Sequence, residues 1–301
     1  MASWSAPETM LYDRLPSLIL GWANQAIRLW SGLRRYEVQV GEDGWVYLAG
    51  GKGAPIVFVH GFDCDKDRFW TFLSAFSRSY RVVVPDLPGF GESAKSLSEC
   101  YDIASQVRRL NAFLEKIGLH SFHLFGISMG GYICGYYASE YPDKVRSLAL
   151  MDAAGVSSRK LSDALRLHEE AGKNVFLYKT AQEFDELMSL VFHRPPWIPG
   201  LFKRHFALRG AHNYTLRAKI LDDIIDGGIN LLDDRLSGIS AETLVVWGAN
   251  DRIMDVSSVE TFMRGIPKCR SVVLDDCGHV PYVEKAKTAK RLYKAFLANL
   301  S

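Results

Sequence analysis

Three residue types, each just past a run that reads as a β-strand, could together do nucleophilic chemistry in this chain of 301 residues. The first is Ser128, in Gly126-Ile127-Ser128-Met129-Gly130-Gly131. Residues 121–125 before it are apolar and aromatic and read as a buried strand, and residues 132–138 after it read as a helix packed on a sheet. A G-x-S-x-G between strand and helix puts the serine on a tight, strained turn whose flanking residues must lack bulk. Such a turn lifts the hydroxyl above the sheet and aims the Met129 N–H at the same point. The helix start adds partial positive charge where an oxyanion would form. A glycine-rich turn with no chemistry would carry the same letters, so the partners decide.

A serine nucleophile needs a base, and the base needs an orienting carboxylate. His279 follows the strand-like Val272-Val273-Leu274 across Asp275-Asp276-Cys277-Gly278, and Asp251 follows Leu244-Val245-Val246-Trp247-Gly248 across Ala249-Asn250. The chain order Ser, Asp, His, each past a later strand, suits this chemistry. Asp251 has two rivals as the acid: Asp152, at the end of Leu150-Met151-Asp152, and Asp255. A second oxyanion donor is offered by His60-Gly61-Phe62 after the apolar run 56–59, where the Phe62 N–H would face that of Met129. His60 reads as a brace for this loop and His123 as a structural residue on a strand. Asp63-Cys64-Asp65-Lys66-Asp67 lacks the glycine and the final carboxylate of a calcium loop; it reads as a solvated turn with Asp67 capping the next helix. Residues 86–93 lack the Gly-Lys-Ser/Thr end of a phosphate loop and read as a structural loop beside the site. No cofactor and no metal is expected.

The elements that must hold these residues follow from periodicity. Strands are expected at 36–40, 44–48, 56–59, 81–84, 121–125, 145–151, 243–247 and 271–274. Helices are expected at 67–76, 103–117, 132–141, 256–264 and 282–297. Alternating strands and helices mean an α/β fold, a doubly wound and mostly parallel sheet with ligands at the strands' carboxyl ends. Residues 155–240 break that rhythm: they are helical at 161–171 and 181–192, then irregular at Arg194-Pro195-Pro196-Trp197-Ile198-Pro199-Gly200. So long a segment is no plain loop and reads as a helical cap inserted between two late strands. Its aromatic residues suit an apolar pocket, with Phe62, Met188, Phe192 and Trp197 as expected substrate contacts.

Residues 15–33 carry Leu15, Leu18, Ile19, Trp22, Ala26, Leu29, Trp30 and Leu33 at helical spacing. Asn24, Gln25 and Arg28 make the stretch a poor membrane span, and no basic stretch with a small-residue cleavage site precedes it. Two readings stand, which do not exclude one another: a helix packed on the body, or one lying on a membrane with its tryptophans at headgroup depth. The chain has 36 Lys and Arg against 34 Asp and Glu, net +2, with no basic run interleaved with aromatics, so nucleic acid is not an expected partner. Cys64, Cys100, Cys134, Cys269 and Cys277 show no pairing pattern, which suits reduced thiols and a cytoplasmic location with peripheral membrane contact.

His60-Gly61-Phe62, residues 86–93, Gly126 to Gly131, Trp247 to Asp251 and Cys277-Gly278-His279 together resemble the α/β-hydrolase superfamily. Lys66-Asp67 with Trp70, the Gly-x-Ser-Met-Gly-Gly turn and Asp255-Val256-Ser257 look most like α/β-hydrolase-domain monoacylglycerol lipases and bacterial family V lipases. Glu284-Lys285-Ala286 departs from the Glu-Arg-Pro common after the histidine in those proteins. The resemblance implies an α/β-hydrolase core at 36–154 and 241–301, a cap at 155–240 and an N-terminal amphipathic segment at 1–35. It implies a serine carboxylic-ester hydrolase, a carboxylesterase or monoacylglycerol-lipase-like enzyme acting through an acyl-enzyme on a small-molecule ester or monoacylglycerol-type lipid. The alternative is a carbon–carbon bond (meta-cleavage product) hydrolase with the same triad; its acidic substrates call for cap and post-elbow arginines, but Tyr132 follows Gly131 here, and Arg194, Arg204 and Arg209 are unplaced. Fold analogy does not choose between them.

Overall fold

The computed structural model describes residues 6–300, with side chains for 15–70 and 72–300. Helix α1 (Ala6–Trp30) leads into an antiparallel hairpin, β1 (Leu33–Val40) and β2 (Asp43–Gly50). Strands and helices then alternate through β3 (Pro55–Val59), α2 (Trp70–Leu73), β4 (Arg81–Pro85), α3 (Ile103–Lys116), β5 (Phe122–Ile127), α4 (Met129–Glu140) and β6 (Val145–Met151). Four helices follow: α5 (Asp163–Ala171), α6 (Ala181–Val191), α7 (Gly200–His212) and α8 (Tyr214–Gly227). The alternation resumes with β7 (Glu242–Gly248), α9 (Ser258–Gly265), β8 (Cys269–Leu274), α10 (Pro281–Glu284) and α11 (Ala286–Ala298).

The strands form one eight-stranded sheet in the order β1-β2-β4-β3-β5-β6-β7-β8. It is antiparallel at β1–β2 and β2–β4 and parallel from β4 to β8. Because side chains alternate along a strand, neighbours serve opposite faces. Val57 and Val59 pack with α3 and α4, while Ile56 and Phe58 pack with α2 and α11. A sheet covered on both sides needs strands that are apolar throughout, and all six residues of β5 are buried. The order doubles back between β3 and β5. That is the switch point where the two connecting loops part and leave a crevice at the carboxyl ends.

Several expected elements differ in detail. The helix expected at 67–76 is a 3₁₀ turn, Lys66–Phe69, followed by the four-residue α2. Its N-cap is Asp65, whose carboxylate accepts the Asp67 N–H at 3.1 Å; Asp67 itself pairs with Arg28 of α1. The expected last helix is two, because Lys285 leaves the helical conformation at φ −120°, ψ 36°. α7 and α8 were not singled out by periodicity. α7 spreads Phe202, Phe206 and Leu208 among Lys203, Arg204 and Arg209 without a clean apolar stripe.

α1 packs on α7 and β1, but not through its apolar stripe. Ser17, Gly21, Asn24 and Arg28 face the body, and Arg28 makes a two-pronged ion pair with Asp67 at 2.7 and 2.5 Å. Leu15, Leu18, Ile19, Trp22, Leu29 and Trp30 all face outward, the last three more than 70% exposed. The helix is packed on the body, but by its polar face rather than by the apolar stripe, which stays exposed.

Candidate active site

At the end of β5 the chain turns into α4 through Ser128, whose φ of 54° and ψ of −125° place a non-glycine residue in strained backbone. The turn is anchored on three sides: Ser128 N–H donates to Met151 O at 3.0 Å, and Ser128 O accepts from Tyr132 and Ala154 N–H at 3.0 and 3.1 Å. Bulk is forbidden around it. A Cβ on Gly126 would lie 2.3 Å from Gly130 O, and one on Gly130 would lie 2.4 Å from His60 O. The Ser128 side chain makes no capping bond, and with His279 it lines one cavity of about 320 Å³.

His279 sits in the loop after β8. Its N–H donates to Val191 O at 2.8 Å, and the preceding Gly278 N–H donates to Glu284 Oε1 at 2.7 Å. Glu284 also takes the His193 N–H at 3.0 Å through Oε2, so one carboxylate ties the histidine loop to the end of α6. Sequence reasoning missed this role. The only signal was that Glu284 keeps the first residue of a motif whose next two residues are changed.

Asp251, in the turn after β7, receives His279 Nδ1 at 2.7 Å on Oδ2. Its Oδ1 takes the Ile253 and Met254 N–H groups at 2.8 and 3.0 Å, so both oxygens are held and the carboxylate cannot swing. Of the rivals, Asp255 is engaged by Ser257, whose N–H it accepts at 2.9 Å. Asp152 is closer to the chemistry. It is fully buried at the end of β6 with φ 43°, accepts the Gly248 N–H at 2.9 Å on Oδ1, and leaves Oδ2 without a hydrogen bond among the described residues. Asp152, Asp251 and His279 present polar atoms all within 4.8 Å of one another. Burial, and then the Asp251 charge, push the Asp152 carboxyl well above the usual carboxylate range. Two carboxylates that close disfavour each other's charge, and the upward shift falls on the more buried Asp152.

The loop after β3 approaches the serine from the other side of the switch point. A Cβ on Gly61 would stand 3.2 Å from Ser128 Cβ, which brings Phe62 to the cavity wall. Neither Phe62 N–H nor Met129 N–H donates to another described residue. His60 is fully buried, takes the Leu87 N–H at 3.0 Å on Nε2 and meets Gly61 O at 2.8 Å through Nδ1; burial lowers its pKa, so it braces the loop as a neutral ring. Burial holds His123, bonded to Ser147 Oγ at 2.8 Å, down at about 4.

The cavity is lined mainly by Phe62, Ile127 and, from the four-helix segment, Phe176, Tyr178, Phe184, Leu187, Met188, Val191, Phe192 and Phe206. Trp197, expected beside them, does not line it and is 85% exposed. Its neighbours Pro196 and Ile198 do line it, because in an extended stretch successive side chains point to opposite sides.

Residues 54–286 match the α/β hydrolase fold family. Lipase 1 of Psychrobacter immobilis is 36% identical over 84% of this chain and 80% of its own. The human monoacylglycerol lipase ABHD6 is 29% identical over 81% and 75%. A crystal structure of a membrane phospholipase A, described as a bacterial virulence factor, superposes with a TM-score of 0.91 at 34% identity, covering 95% of this chain and 93% of that one. The chain belongs to the α/β hydrolase family.

Proposed function

We propose that this ester hydrolase of the α/β hydrolase family cleaves monoacylglycerol-type lipid esters through an acyl-enzyme on Ser128. The observation that carries the reading is the 2.7 Å bond from His279 Nδ1 to Asp251 Oδ2, in a loop that shares an apolar cavity with Ser128. With Nδ1 committed to the carboxylate, Nε2 is left to take the Ser128 proton as Oγ attacks the ester carbonyl. Charge then grows on the carbonyl oxygen, where the unused N–H groups of Phe62 and Met129 form the oxyanion site. The imidazolium, stabilised by Asp251, returns its proton to the departing alcohol. Water repeats the sequence on the acyl-enzyme and frees the acid.

Residues 155–240 act as the cap in this reading: α6 and the irregular stretch after it close the cavity from above, and Met188 and Phe192 contact the acyl chain together with Phe62. An apolar wall discriminates by buried area, about 0.8 kcal/mol per methylene, so longer acyl chains gain until the cavity is filled. The outward stripe of α1 supplies peripheral membrane contact, with Trp22 and Trp30 at headgroup depth. No helix among the described residues is long and apolar enough to cross a membrane.

Hydrolysis of p-nitrophenyl esters from acetate to palmitate, beside a meta-cleavage dienone, tests the reading. Turnover is expected for the esters with an optimum at medium chain length, and a fluorophosphonate probe should label Ser128. Turnover of the dienone in preference to every ester would overturn it.

A further inference from the structure

Next to the catalytic cavity lies a larger cleft of about 540 Å³ whose chemistry is the opposite. It is roofed by the inward face of α1 and floored by residues 63–67 and 89–95, with α7 and α8 on its far side. Asp63, Cys64 and Arg209 line both spaces, so a single wall separates them. An ester bound at Ser128 sends its acyl chain and its alcohol in different directions. The apolar cavity suits the acyl chain, and the space across the wall is charged.

The charges are not balanced. Asp67 is matched by Arg28, Glu92 bonds Lys66 and Arg35 at 2.6 and 2.7 Å, and Asp63 accepts from the Tyr178 hydroxyl and pairs with Arg217 at 2.9 Å. The lining carries five cations against four carboxylates, and two of the cations are the least well matched. Arg209 has only Asp65 within reach among the described residues, at 3.9 Å, and Asp65 stands equally far from Arg68. Lys95 has no carboxylate partner there; its Nζ donates to Gly91 O at 2.7 Å. Packing around Lys95, and then the Arg209 guanidinium, hold its pKa below the usual lysine value. Arg217 adds an independent sign. It lines the cleft almost wholly buried, stacked on Tyr178, and its Nε and Nη1 have no hydrogen-bond partner among the described residues. Unpaired buried guanidinium donors beside two under-neutralised cations are what a multi-oxygen anion satisfies.

We infer that this cleft is a subsite for the phosphate of an ester substrate's alcohol part, with Lys95 and Arg209 as its principal contacts and Arg217 behind them. The inference rests on the ester-hydrolase reading of Ser128. It extends that reading to lysophospholipid-type esters, whose phosphate would sit under the inward face of α1.

Two measurements test it. In the first, glycerol 3-phosphate, inorganic phosphate and glycerol are compared as thermal stabilisers of the Ser128→Ala protein and of its Lys95→Gln and Arg209→Gln derivatives. Glycerol 3-phosphate should raise the melting temperature more than inorganic phosphate, glycerol should have no effect, and the gain should fall away in both derivatives. In the second, kcat/KM is measured for a lysophosphatidic acid and a monoacylglycerol with the same short acyl chain, below their micelle concentrations. The ratio of phosphate ester to neutral ester should drop about tenfold in each single variant and reverse further in Lys95→Glu. An unchanged ratio, or equal loss on both esters, overturns the inference. Stabilisation by inorganic phosphate alone with an unchanged ratio would assign the cleft to the free ion, and also overturns it. If glycerol 3-phosphate binds as expected but the wild type cleaves neither ester, the hydrolase reading fails and the phosphate subsite stands.

Discussion

The carboxyl edge of the sheet and helix α1 are built on opposite plans. At the edge, carboxylates are tied to backbone: the buried Asp251 by two N–H groups, the buried Asp152 by that of Gly248, and the half-buried Glu284 by that of Gly278. In α1 Ser17, Gly21, Asn24 and Arg28 face the protein while Leu15, Leu18, Ile19, Trp22, Leu29 and Trp30 face out. A buried polar group is tolerable only with its partners in place, so the edge depends on many distant residues at once. An apolar face with no protein against it depends on none. Substitutions at the edge should therefore cost chemistry, and substitutions on the outer face of α1 should cost neither fold nor chemistry.

The edge breaks most severely at the nucleophile and base. Ser128→Ala and His279→Ala should each lower ester turnover on the order of 10⁴-fold or more while the melting temperature holds. Because the residues act as a unit, the double variant should lose little beyond either single one. Multiplying losses in the double variant would show that the two do not share a step. Asp251→Asn should cost on the order of 10³ to 10⁴ in kcat, since the amide can present Nδ2 to the imidazole and stabilise the wrong tautomer. Rate measurements across pH would check that the loss is in kcat and not in binding.

The other side of the comparison is tested by replacing Trp22, Leu29 and Trp30 together with serine. Each exposes much apolar surface, and burying such a side chain is worth about 1.5–3 kcal/mol when complete. Binding to anionic vesicles should fall by at least about tenfold, with melting temperature and turnover of soluble p-nitrophenyl butyrate unchanged. A marked fall in melting temperature would mean that the stripe supports the fold after all.

Legibility in the sequence follows the same division. The strands and the residues at their carboxyl ends could be read because continuous apolar runs and glycine turns mark those places locally. The side on which a helix packs is not a local property. The α1 stripe is visible as a periodicity, yet nothing in residues 15–33 says that Arg28 meets the body, because its partner Asp67 lies 39 residues beyond it. Trp197 fails for a related reason: composition gives an aromatic residue in the right segment, and only the backbone gives the direction of its side chain. Arg217 had no sequence signal, since its significance lies in the Asp63 carboxylate and the Tyr178 ring beside it in space.

The smallest expected effect separates two aspartates that the sequence offered for one role. If Asp152 is a neutral acid beside Asp251, Asp152→Asn keeps an acceptor for the Gly248 N–H and a donor towards Asp251, and turnover should change by less than about tenfold. The stability readout is sharper. Asp152 has its folded pKa raised above the unfolded value, so its contribution is fully present below about pH 4, where both states hold the proton. It is lost as pH rises towards the folded pKa, because the unfolded chain can release a proton that the folded one must keep. Asparagine removes that penalty. The variant should melt higher than the wild type at pH 7 to 8, with the gap closing as the pH is brought to about 4. A variant that loses activity on the scale of Asp251→Asn, with no gain in melting temperature at neutral pH, would instead make Asp152 the charged partner of the histidine.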